Sequence, residues 1–391
     1  MICLLLTLSL AADGDADKSK KSLAELDKKP LVVKPIAPVP ESDRAAAVFR
    51  GLDFLIRTQH KNGSWGAPTK TKELNITADI GSHLAFRVGT TSLVLMAMCE
   101  NEKTRHELTP VIKKGEEWLL EALPKLRRGT PVELYNVWGH AYAIQALVLL
   151  KKRSEATTER KATYDRLIKE QMELLKRYAS VDGGWGYYDF RAQAATPTSD
   201  STSFVNATVL IAFHEAKESG VEPPKKVLDK AIAATVRQRK PDFTYLYGEY
   251  LKYRPVMGIN RMGGSLGRTN ACNLALKEWG DPKITDDVMK MCLHRLFARH
   301  LWLDIGRKRP VPHESWMQVA GYFFYYAHYY AGLCIEKLPP ADRPLFQDHL
   351  ARVLLDRQEL DGSWFDFVLY DYHQQYGTAY AILALNRCKK Q

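Results

Sequence analysis

A chain of 391 residues with 46% hydrophobic, 10% aromatic and 26% charged residues carries ample apolar material for a core, which excludes an intrinsically disordered protein. Its formal charge of +11 would draw anionic partners such as an acidic polysaccharide, but the basic residues are scattered and no nucleic-acid motif accompanies them. The six cysteines, Cys3, Cys99, Cys272, Cys292, Cys334 and Cys388, are widely spaced and form no Cys-x-x-Cys pair, so they carry no zinc-ribbon or redox signature.

At the N-terminus, Ile2 to Leu10 is apolar, and Ser9-Leu10-Ala11 before Ala12-Asp13 has the small residues of a cleavage site. Residues 1–12 therefore read as an export signal without its usual basic start, and the protein as secreted or periplasmic. The run is too short to span a bilayer, and no later stretch approaches transmembrane length. Residues 13–41 are charged and then proline-rich (Pro30, Pro35, Pro38, Pro40), which predicts an extended, flexible linker.

From residue 42 to 391 the pattern is helical throughout and predicts one domain. Amphipathic helices are expected at 43–59, 109–126, 164–178, 225–237, 284–302 and 343–357. More apolar ones are expected at 89–99, 137–150, 203–216, 267–279, 317–335 and 376–388. The two kinds alternate, and a glycine turn ends several of the amphipathic members. Gln59-His-Lys-Asn62-Gly63-Ser-Trp65, Asp182-Gly183-Gly-Trp185 and Gln358-Glu-Leu-Asp361-Gly362-Ser-Trp364 are versions of one unit. Each leads to an apolar helix, with Thr91, His140, Asn206, Thr269, Gly321 and Thr378 at equivalent positions. A helix pair cannot bury its apolar face alone, so six pairs should pack side by side and close into an all-α (α/α)6 toroid, apolar helices inward.

The Gln-x-x-(Asp/Asn)-Gly-Ser-Trp spacing resembles the QW-type repeat of squalene-hopene and related triterpene cyclases, and more broadly the prenyltransferase and squalene-oxidase repeat superfamily, over residues 43 to 388. The resemblance implies the same toroid, with the glutamine capping backbone groups and the indole packing between neighbouring outer helices. Gln59/Trp65 and Gln358/Trp364 match fully, whereas Ala179 stands in the glutamine position of the middle unit. The cyclase Asp-x-Asp-Asp-Thr-Ala acid motif is missing, its slots holding Gly89-Thr90, Trp138-Gly139, Phe204-Val205 and Tyr376-Gly377. Asp200, about a turn before the third apolar helix, is the nearest substitute. Asp371-Tyr-His373 is similar to the Asp-x-Tyr-His stretch of the zinc-dependent protein prenyltransferases, but no Asp-x-Cys pair accompanies it. Neither a metal nor another cofactor is expected.

Fold and function are separable, so chemistry must be sought in the cavity wall. The catalytic candidates are His140, Asp200 and His373, each next to the start of an apolar helix. Binding candidates are Asn136, Trp138, Tyr142, Arg268, Asn270, Glu314, Tyr322, Tyr376 and Tyr380, with His313 beside Glu314 as a second acid–base option. The run Gly321-Tyr322-Phe-Phe-Tyr325-Tyr326-Ala-His328-Tyr329-Tyr330 puts aromatics on every face of one helix, and such faces suit isoprenoid chains or sugars. Three functions fit. The first is an exported cyclase-like toroid holding an isoprenoid or other small apolar ligand, the second a sugar ligand and a carbohydrate-active enzyme or binder for an acidic polymer, the third a non-catalytic surface scaffold.

Overall fold

The computed structural model describes residues 31–72, 76, 78–190, 193–197 and 201–389, so the expected export signal and most of the linker lie outside the described residues. Thirteen α-helices are found among them. They are α1 (Glu41–Arg57), α2 (Ile80–Asn101), α3 (Leu108–Ala122), α4 (Asn136–Lys152), α5 (Thr158–Arg177), α6 (Ser203–Glu218) and α7 (Lys225–Gln238), then α8 (Met262–Glu278), α9 (Asp286–Ala298), α10 (His300–Asp304), α11 (Phe323–Glu336), α12 (Arg343–Leu355) and α13 (His373–Asn386). No strand occurs among the described residues, only isolated bridges such as Glu133 with Tyr188.

Helices α2, α4, α6, α8, α11 and α13 pack side by side in that order, and α13 returns to α2, so the inner ring closes. Each inner helix also packs against the next outer helix, α2 on α3 and so round to α13 on α1. Burial follows this arrangement. On α5 the buried residues Tyr164, Leu167, Ile168, Gln171, Met172 and Leu175 form one stripe, whereas on α2 every residue from Val88 to Met98 is buried. The architecture is an (α/α)6 toroid.

The three tryptophan turns are built alike. Trp65, Trp185 and Trp364 are fully buried, and each Nε1 donates to a carbonyl ten residues upstream: Leu55 (2.7 Å), Leu175 (2.8 Å) and Leu354 (2.8 Å). Their backbone N–H groups reach an inner-helix side chain, respectively Thr91 Oγ1 (3.1 Å), Asn206 Oδ1 (2.6 Å) and Thr378 Oγ1 (3.0 Å). In the fourth repeat the corresponding partner of the Tyr245 N–H is Ser265 (3.1 Å), not Thr269, one helical turn from the expected register. Gln59 Nε2 donates to the Val111 carbonyl of α3 (2.9 Å) and Gln358 Nε2 to the Ala47 carbonyl of α1 (2.9 Å), so the last unit fastens to the first.

Several boundaries differ from expectation for local reasons. Helix α2 starts at Ile80 rather than 89 because Asp79 caps it, accepting from Ser82 N at 2.8 Å. The helix expected over 284–302 breaks at Arg299 (φ −127, ψ 18) into α9 and α10. The aromatic helix begins at Phe323 instead of 317, since Met317 and Gln318 both take φ of 57. The described end of the linker is not free: Val33 and Val39 are buried, their N–H groups bonded to His294 Nδ1 (3.2 Å) and Asp348 Oδ1 (2.9 Å). Cys99, Cys272, Cys292, Cys334 and Cys388 are free thiols.

Candidate functional site

A cavity of about 330 Å³ opens at the N-terminal ends of the inner helices. Its wall takes Phe86 and Thr90 from α2, Trp138 and Tyr142 from α4, Phe204 from α6, Phe323 and Tyr326 from α11, and Tyr376 and Tyr380 from α13. The remainder comes from the segments leading into those helices, among them Tyr135, Tyr187, Tyr188, His313, Tyr322 and Phe367. Tyr187, Tyr188 and His313 also border a second chamber of about 500 Å³, lined further by Phe190, Tyr247, Tyr250 and Met257.

The rings pack on one another. Trp138 stacks on Tyr142 (centroids 6.0 Å apart, planes at 15°) and lies 5.7 Å from Phe204, itself 5.0 Å from Phe323. Deeper in, the Tyr142 and Tyr380 hydroxyls bond across the ring, and Tyr326 donates to the Phe204 carbonyl at 2.9 Å. Burial pushes all of these phenols upward, so they are neutral hydroxyls at physiological pH.

At the junction of the two chambers the hydroxyls form a directed chain. His313 Nδ1 is 2.8 Å from the Gln318 carbonyl, which can only accept, so the ring proton is on Nδ1 and Nε2 is an acceptor. Tyr322 Oη, 3.0 Å away, must then donate to Nε2. Tyr247 Oη is 3.2 Å from Tyr322 Oη and is bonded in turn to Tyr187, so each hydroxyl donates toward the histidine. Burial holds the imidazole below its usual pKa and therefore neutral.

Behind the wall lies Asp366, fully buried, with Oδ2 accepting from Tyr325 N (2.9 Å) and Oδ1 at 3.2 Å from Tyr376 Oη. Burial, opposed only in part by these hydrogen bonds and by Arg307, pushes this carboxyl up to about 7.

The sequence candidates divide sharply. Trp138, Tyr142, Tyr322, Tyr376 and Tyr380 meet at the cavity. His140 does not; it is wholly buried between α4 and α5, with Nδ1 2.7 Å from Gln171 Oε1 and its ring stacked on Tyr178, and burial lowers it to about 4. Asn136 and Asn270 are buried outside the described lining, and Glu314 is exposed because the chain at His313 has φ of 66 and is not helical. Arg268 is buried behind Tyr247, its guanidinium carbon 5.6 Å from that ring, and donates to the carbonyls of Tyr245 (2.7 Å), Ile259 (2.5 Å) and Gly264 (2.8 Å). It fastens a loop to α8, and burial lowers it to about 10. His373 is buried against Phe365, with Nδ1 2.7 Å from the Tyr370 carbonyl. Asp200 lies outside the described residues. No group of three or more His, Cys, Asp or Glu suited to a metal occurs among the described residues.

Tyr135, Tyr187, Tyr188, Tyr247, Asp366 and Phe367 escaped the sequence reading. A signal existed for part of this set. Phe365-Asp366-Phe367 directly follow Trp364, and Tyr187-Tyr188 follow Trp185 after Gly186, so at these two tryptophan turns the next segment reaches the cavity.

No family model matches the chain, and no curated protein matches it. Solved structures do. Cellobiose 2-epimerase from Spirochaeta thermophila, 16% identical, aligns over 94% of this chain and 98% of its own at a TM-score of 0.57. A family 76 glycoside hydrolase from a bovine Bacteroides thetaiotaomicron strain, 12% identical, covers 89% of this chain and 78% of its own at 0.53. The type II terpene cyclase MstE from Scytonema, 12% identical, covers 89% and 98% at 0.48. At these identities the likeness is one of fold: the chain shares its toroid with the epimerase and the glycoside hydrolase, whose chemistries differ.

Proposed function

We propose that the toroid binds an elongated apolar ligand of the isoprenoid class in its aromatic cavity. The wall carries this reading. Its described lining is dominated by aromatic rings and contains no carboxylate, lysine or arginine, and its tyrosine hydroxyls are paired with one another, with His313 or Asp366, or with the backbone. A ligand without hydrogen-bonding groups would leave those pairs intact and gain roughly 25 cal/mol for each Å² of apolar surface it buries. The volume falls at the lower end of the range for small-molecule sites, and the outer chamber extends it. Solvent extraction of the purified protein followed by mass spectrometry should recover a hydrocarbon-rich ligand. Repeated recovery of nothing, with no binding of isoprenols in tryptophan-fluorescence titrations, would sink the proposal.

The alternative is a sugar ligand, from an acidic polysaccharide in view of the net charge of +11. The outer chamber favours it, since Tyr187, Tyr188, Tyr247 and Tyr250 offer stacking faces with hydroxyls at their edges. Hydrolysis by the usual pair of carboxylates finds no such pair in the described lining of either chamber. A glycan array containing uronate polymers separates the two readings.

A further inference from the structure

The outer chamber has an apolar rim turned to solvent. Phe190, between α5 and α6, is 68% exposed, and on the loop between α7 and α8 Tyr250 is 43%, Tyr253 86% and Val256 71% exposed. Phe190 and Tyr250 also line the chamber, together with Leu251 and Met257, so the two loops meet at its mouth. Single exposed apolar residues are common on a protein surface, but four on the two loops that frame one apolar entrance mark a contact surface. The longer loop is tied down. Asn260 Nδ2 donates to the Arg254 carbonyl (2.9 Å) and Arg261 Nε to the Val256 carbonyl (2.8 Å), so a fixed backbone presents these side chains.

Charge narrows the partner. Residues 250–261 hold three cations, Lys252, Arg254 and Arg261, and no carboxylate. Lys252 and Arg254 are exposed, the Lys252 ammonium 5.2 Å from the centre of the Tyr253 ring. Glu249, just before them, is buried and paired with Arg237 at 2.6 Å. A second copy of the chain would set these cations against their own images across a two-fold axis. An acidic polysaccharide would match the cations but leave Phe190 and Val256 without an apolar neighbour. An anionic bilayer supplies phosphates at the level of the cations and an apolar layer beneath, and tyrosine rings favour that boundary.

We propose that this rim seats the protein on an anionic lipid surface, with Phe190, Tyr253 and Val256 entering the headgroup layer and Lys252 and Arg254 meeting lipid phosphates. The outer chamber then opens onto lipid, and an apolar ligand passes between bilayer and cavity without crossing water. Docking itself needs no ligand in the cavity.

The test is flotation of the purified full chain with vesicles. Those containing phosphatidylglycerol should be bound at least about thirtyfold more tightly than vesicles of phosphatidylcholine alone, since each cation near an anionic surface contributes about a fivefold gain. High salt, or Lys252→Gln with Arg254→Gln, should remove most of that preference. Tyr253→Ser with Val256→Ser should weaken binding to both kinds of vesicle about tenfold, whereas Phe49→Ser, exposed on α1, should change neither. No binding to either vesicle, or binding that both pairs of substitutions leave unchanged, overturns the surface. So does self-association in sedimentation that Tyr253→Ser with Val256→Ser abolishes while vesicles are ignored, which assigns the rim to a second copy. Vesicle binding by a protein that yields no ligand leaves the docking surface and removes the apolar-ligand reading; a recovered ligand without vesicle binding does the reverse.

Discussion

His140 is a histidine held neutral by burial, and the sign of its effect on stability follows. Its folded pKa of about 4 lies below the ordinary value of 6.5, so as pH falls the unfolded chain takes up the proton first. The stability it contributes is complete above about pH 6.5 and is lost towards pH 4, by up to about 3 kcal/mol. Asp366 works in the opposite sense. Its raised pKa gives stability that is complete below the ordinary carboxylate range and is lost as pH rises through about 7. Melting temperatures measured from pH 4 to pH 8 should therefore fall more steeply towards acid in Asp366→Asn than in the wild type, and less steeply in His140→Gln. A second residue-scale prediction concerns the cavity itself: Trp138→Ala should weaken binding of an apolar ligand by about 1.4 to 2.8 kcal/mol, that is tenfold to a hundredfold, without loss of helix content by circular dichroism.

At the scale of elements, the tryptophan turn is the device that sets each helix pair. Gly362 has φ of +89, and a Cβ there would stand 2.6 Å from the Arg50 carbonyl on α1. Gly362→Ala should cost about 1 to 3 kcal/mol in urea unfolding, through left-handed strain and the clash together. Trp364→Ala, which empties a fully buried site and removes the indole bond to the Leu354 carbonyl, should cost about 3 to 5 kcal/mol. The elements were largely legible, because a period of 3.6 residues and a glycine after a glutamine are local signals. Their ends were less so. That α2 begins at Ile80 depends on one aspartate cap, and that α11 begins late depends on the backbone turn at Met317 and Gln318. Those nine extra residues at the start of α2 bring Phe86 into the wall, which the shorter helix expected from the sequence left out.

For the whole molecule, a few bonds between its ends add to the packing of α13 on α2 and α1 that closes the ring. Gln358 donates to Ala47, Arg57 to the Asp361 carbonyl at 2.9 Å, and Arg387 pairs with Glu100, joining the start of the chain to its finish. Gln358→Ala should lower stability by about 1 kcal/mol, as should Gln59→Ala, but only the former should raise hydrogen exchange in both α1 and α12. A like effect of both variants on α1 and α12 would argue that the seam is no different from any other joint in the ring. Among the described residues no helix is long and apolar enough to cross a membrane.

The sequence by itself determined the helical alternation, the repeat and the toroid, because amphipathic periodicity and turn glycines act between near neighbours in the chain. It also marked Trp138, Tyr142, Tyr322, Tyr376 and Tyr380, whose aromatic character in apolar helices left few places to go. Only the tertiary structure decided which polar groups face the cavity. His140 and Arg268 turn away towards Gln171 and backbone carbonyls, while Asp366, unremarkable beside Trp364, meets Tyr376 behind the wall. The direction of a buried side chain and the state of its proton depend on partners brought together by ring closure, and no local pattern encodes them.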